Sequence, residues 1–173
     1  MANIELRLST GSATNKSVSN IRDSIGGKMA ESGTISHIIT ENSFKLNDVW
    51  DDISQADNAS NTSDYRCLYI YNNPTGPNKG PFLGTKIYVG GVTYAKFTLA
   101  KVDAKNTDAN IAASETTPPD GITFEKYTKE NPLRLDTLDA GDRYAIWVKR
   151  TAENVSGAGE IREAFELNIV GSD

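Results

Sequence analysis

The sequence predicts an all-β protein, an immunoglobulin-like antiparallel β-sandwich with an extended N-terminal arm. Three observations carry that reading. Apolar and aromatic residues alternate at period two in several short runs, Gly, Pro and Asn turns separate the runs every ten or so residues, and no stretch keeps the 3.6-residue period of a long amphipathic helix. The chain has 173 residues and a hydrophobic share of 38%, below the ~45–50% of average globular chains. Ser, Thr and Asn account for most of that deficit, and the length suits one domain with a real core plus an appendage.

Taken in order, Ile4, Leu6 and Leu8 alternate with polar residues and define a first strand over 3–9. Residues 10–40 hold too few large apolar side chains for a core. They read as an extended arm with at most one turn of helix, ordered by lying on something else. A neighbouring subunit is the favoured surface, which makes Ile21, Ile25, Met29, Ile35, Ile38 and Ile39 candidate assembly contacts; the alternative is a long loop covering an edge of the chain's own sheet. Phe44, Leu46, Val49, Trp50 and Ile53 fit a strand end and a turn anchored by Trp50, or a short helix capped by Asn47. Ser54 to Asp64 is polar throughout and reads as loop, so it marks the boundary between an arm of residues 1–63 and a sandwich domain of residues 64–173.

The second strong strand is Asp64 to Tyr71, with Tyr65, Cys67, Tyr69 and Tyr71 on one face and Arg66, Leu68 and Ile70 on the other. Two apolar faces mark a central strand. Asn73 to Pro81 is rich in Pro and Gly and must be an exposed connection. Residues 86–91 and 92–102 read as strands around Gly90-Gly91, and a linker through Pro118-Pro119-Asp120-Gly121 leads to Ile122 to Glu125. Leu133, Leu135 and Leu138 then enter the turn Asp139-Ala140-Gly141-Asp142, and Tyr144, Ile146 and Val148 leave it. Such a corner lets a chain cross between sheets, with Trp147 filling the gap and Lys149 and Arg150 emerging at the rim. Phe165, Leu167 and Ile169 alternate in the last strand.

The chemistry is sparse. A net charge of −5 argues against nucleic acid, which needs clustered Lys and Arg. No secretory leader and no apolar run of membrane-spanning length is visible, so cytoplasmic synthesis and no membrane are expected. Cys67 is the single cysteine and His37 the single histidine, in a Gly/Ser-rich stretch that gives a catalytic imidazole no support. Asp48, Asp51, Asp52 and Asp57 lack the spacing of a Ca²⁺ loop. No cofactor motif is found, and neither a catalytic set nor a metal set is assigned. Trp50, Tyr69, Tyr71 and Tyr88 are the candidates for a sugar-stacking surface, against the alternative that alternate tyrosines are core residues.

With these segments laid out, the chain resembles a family of small structural proteins of tailed bacteriophages. The likeness runs through the first strand, Gly26-Gly27, Val49-Trp50-Asp51-Asp52-Ile53-Ser54, Asp64 to Ile70, Glu115 to Phe124, and Leu135 to Thr151. It implies a virion component without enzymatic activity, a capsid decoration protein or a tail or neck accessory, assembled in the host cytoplasm. The partners it implies are other virion proteins and further copies of the chain in a homo-oligomer, with host glycans as the alternative partner.

Overall fold

The computed structural model describes residues 2–18, 20–34, 38–40, 43–45, 49–50, 53–75, 79–91, 95–153 and 166–172, with backbone alone for 32–34, 38–40 and 43–45. Ten strands run in chain order: β1 Ile4–Ser9, β2 Met29–Thr34, β3 Ile38–Thr40, β4 Ser43–Lys45, β5 Ser63–Asn72, β6 Leu83–Gly90, β7 Ala95–Lys101, β8 Leu133–Arg134, β9 Arg143–Ala152 and β10 Glu166–Ser172. One helix, α1 Gln55–Ser60, and a single 3-10 turn at Ile21–Asp23 complete the described elements. The strands form two five-stranded antiparallel sheets: sheet I in the order β2-β1-β5-β9-β7, and sheet II in the order β3-β4-β10-β6-β8. The protein is therefore all-β and sandwich-like.

The period-two pattern explains the core. Leu6 on β1, Leu68 and Ile70 on β5, Ile146 and Val148 on β9, and Leu99 on β7 point from sheet I into one cluster with Ile87, Leu133, Leu167 and Ile169 of sheet II. All are buried. Alternate residues of the same central strands, Tyr65, Cys67, Tyr69, Ala145 and Trp147, form a second cluster on the opposite face of sheet I. It is roofed by Met29 at the start of β2 and by irregular chain carrying Ile25, Ala109, Ala112, Ile122 and Phe124. The two apolar faces expected of β5 are both buried, one under a sheet and one under loops.

Trp147 is consequently not between the sheets. Its indole lies in the second cluster, because Cys67 and Trp147 are paired across β5 and β9 and share the outward parity of Tyr69, while Ile146 and Val148 take the inter-sheet positions. The corner itself behaves as expected: Leu133–Arg134 belong to sheet II, Arg143–Ala152 to sheet I, and Asp139 to Asp142 make the crossing. Gly141 adopts φ +97 there, and the Asn72 carbonyl accepts its N–H at 2.7 Å. The Asn72 side chain donates to the carbonyls of Gly80 and Leu138, both at 2.9 Å, so this buried amide ties the end of β5 to the corner.

The described part of the expected arm lies on its own chain. β1 pairs with β5 over Ile4 to Leu8, and β2 extends sheet I beyond β1. Where β1 stops, the next inward-facing amides of β5 are met by loop carbonyls: Cys67 N–H by Ser24 and Tyr65 N–H by Glu115, both at 2.7 Å. β3 and β4 then enter sheet II. β2 thus lies in sheet I and β3 and β4 in sheet II, and a boundary at residue 63 separates strands that hydrogen-bond to one another. The stretch expected to be loop from Ser54 contains α1, capped by Ser54, whose hydroxyl accepts from Asp57 N–H at 3.1 Å.

Candidate functional site

The four residues considered for sugar stacking lie in different places. Tyr69 has no exposed surface; its hydroxyl donates to the Gly27 carbonyl at 2.5 Å and accepts from Ala109 N–H at 3.0 Å. Burial, first of several causes, holds its ionisation well above the ordinary tyrosine value. Tyr71 is half-buried beneath the Arg7 guanidinium, 4.6 Å from its ring centroid. Tyr88 is on β6 in sheet II. Trp50 packs against the main core, edge-on to Phe97 at 5.9 Å. They form no common platform.

Trp50 instead organises one end of the gap between sheets. The guanidinium carbons of Arg66 and Arg150 lie 5.1 and 5.0 Å from its ring. Arg66 is buried and satisfied: it donates to the Val49 and Tyr65 carbonyls at 3.3 and 3.0 Å and to a Glu115 carboxylate oxygen at 2.6 Å. Arg150 donates to Asp64 at 2.6 Å and is 5% exposed, so it does not emerge at the rim. Both cations pack over an aromatic face and reach a carboxylate, the arrangement that makes a buried guanidinium tolerable. The pair fastens Val49 and Trp50 to the sheet ends. Nothing in that set is poised for proton transfer or nucleophilic attack.

The expected assembly contacts divide in the same way. Ile21 packs against the main core, and Ile25 and Met29 against the second cluster. Ile35 lies outside the described residues, as do His37, Asp48, Asp51 and Asp52; Ile38 and Ile39 belong to β3 by their backbone. Asp57 helps cap α1. Cys67 is fully buried and burial pushes its thiol far up, so it behaves as an apolar residue. Among the described residues no group of three or more His, Cys, Asp or Glu is placed to hold a metal ion, and no helix is long and apolar enough to cross a membrane.

Two surface features remain. A cleft of about 460 Å³ opens beside β7, with Val89, Ala95 and Phe97 inside and Lys96, Lys126 and Glu153 at the rim. The outward side of sheet II is the second. Its inward residues Ile87, Leu133, Leu167 and Ile169 are buried, whereas Lys86, Arg134 and Val170 are exposed and Tyr88 and Asn168 half-exposed. Strand alternation places these five on one face. No sequence pattern singled that face out, because its residues are the polar half of ordinary strands. Comparison with protein-family models, with curated proteins and with solved structures finds no match to this chain.

Proposed function

We propose that the chain is a non-enzymatic structural protein of a tailed-bacteriophage virion, lying on the particle surface and decorating or cementing the capsid. The observation that carries this reading is the one-sided covering of the two sheets. Sheet I is roofed by the chain's own residues 20–29 and 102–124, whereas among the described residues the outer face of sheet II keeps Lys86, Arg134 and Val170 exposed. A block finished on one side and open on the other suits attachment to a larger body. The resemblance across the sequence points the same way. In an immunoglobulin-like sandwich the larger sheet runs first, second, fifth, fourth strand. Counting β1, β5, β6, β7 and β9 as the first five, β1-β5-β9-β7 follows that order. The facing sheet departs from it, since β6 sits between β10 and β8.

Against attachment through the expected arm of residues 10–40 we prefer attachment through a preformed face, because β2, Ile25 and Met29 of that stretch pack on the chain's own sheet I. The sugar-binding alternative loses its support with the burial of Tyr69 and the scatter of the other three rings. The test is compositional: gradient-banded virions of the phage that encodes the chain are analysed by quantitative mass spectrometry against the major shell protein. The expected result is the chain in many copies per particle. Its absence from banded virions would contradict the reading.

A further inference from the structure

Sheet II carries a bulge that turns a leucine outward. Lys86 pairs with Val170, yet Leu83 pairs with Ser172, so three steps along β6 match two along β10. Gly84 supplies the extra residue at φ +58, a conformation open to glycine, and no atom lies near the Cβ it lacks. The extra residue reverses parity. Phe82 turns inward, 3% exposed, while Leu83 shares the outer face with Val170 and Ser172. Gly171 secures the arrangement, because a Cβ there would meet the Phe82 ring at 2.6 Å. Leu83 at 39% and Val170 at 44% are thus two large exposed apolar residues placed together on neighbouring strands.

Beside them stands an uncompensated charge pair. Lys86 and Arg134 are directly opposed across β6 and β8, and both are exposed. Among the described residues neither is paired with a carboxylate, although the chain is acidic overall and most of its other arginines and lysines in strands have acidic partners. Like charges directly opposed on a sheet face are destabilising by themselves.

We infer that Lys86, with Val170 and Arg134 on either side of it across the sheet and Tyr88 and Leu83 next to it along β6, centres the docking patch of this protein, and that its partner is a protein surface presenting carboxylates beside apolar groups. The inference rests on the virion reading, in which that surface belongs to another protein of the particle. A second copy is a poor occupant: twofold pairing of a patch with itself would set four cations face to face. The partner's carboxylates neutralise the Lys86–Arg134 repulsion, and Leu83, Val170 and Tyr88 around Lys86 are desolvated with it.

Particles grown without this chain are incubated with the purified full-length protein, and bound copies are counted. Four proteins are compared: the wild type, Lys86→Glu/Arg134→Glu, Leu83→Ser/Val170→Ser as a neutral variant of the same patch, and Lys126→Glu/Lys129→Glu as an equal charge change elsewhere. Thermal melts establish that all four fold alike. Both patch variants are expected to lower bound copies roughly tenfold or more, with the control within about twofold of wild type. Wild-type binding matched by both patch variants overturns the patch and leaves the virion reading standing. Failure of the wild type itself to bind overturns both. A dimer of the purified chain that the charge variant dissolves overturns the assigned partner in favour of a second copy.

Discussion

The hydroxyl of Tyr69 joins two segments that no strand connects. It donates to Gly27 and accepts from Ala109, and both groups belong to the irregular roof of sheet I. Replacing it with Phe keeps the ring and strands a buried carbonyl and a buried amide. An unsatisfied buried group costs about 1–3 kcal/mol, so Tyr69→Phe should lower unfolding free energy by about 2 kcal/mol or more in urea titration. A change under ~0.5 kcal/mol would mean that the roof is not fastened there. Tyrosines at alternate positions of β5 announced a central strand, but the sequence could not separate a buried Tyr69 from an exposed one. That distinction depends on residues 27 and 109, which are remote in the chain and small.

At the scale of elements, strands were legible where alternation was strong, as in β1, β5 and β9. The roof was not, because its fully buried residues are small and its large apolar ones, Ile25, Met29, Ile122 and Phe124, are scattered and only partly buried. Glycine and alanine, with backbone hydrogen bonds, fasten it: Gly27 N–H donates to Ala109 O, Ala112 N–H to Ile25 O, and Lys28 N–H to Ser12 O, each at 2.9 Å. Gly27 adopts φ +76, and a Cβ would lie 2.4 Å from the Ser12 carbonyl oxygen. Gly27→Ala should therefore destabilise by more than the ~1 kcal/mol of a simple glycine replacement, since backbone must move as well. Equilibrium denaturation of the variant checks this, and wild-type stability would contradict the close approach. Helix α1 escaped notice for a different reason. Its six residues are Asn, Ser, Asp, Ala and Gln, and the only signal was Ser54 three positions before Asp57.

For the whole molecule, the division into an arm and a separate sandwich does not follow from the contacts. Ile4, Leu6 and Leu8 lie in the main core, and burial of such side chains is worth roughly 1.5–3 kcal/mol each. Losing all three removes about 5 kcal/mol or more, which rivals the 5–15 kcal/mol net stability of a typical domain. It also leaves the β1-facing amides of β5 without partners. A fragment of residues 64–173 should consequently show no cooperative thermal transition by near-ultraviolet circular dichroism, whereas a folded fragment would restore the arm.

The open outer face of sheet II is the property on which the functional account depends. Hydroxyl-radical footprinting of the full chain, free and on particles, reads it side chain by side chain. The account predicts that Leu83, Tyr88 and Val170 lose labelling on the particle while Ile111, exposed on the opposite side in the roof of sheet I, keeps its own. Protection of Ile111 with Leu83 and Val170 unchanged would contradict it.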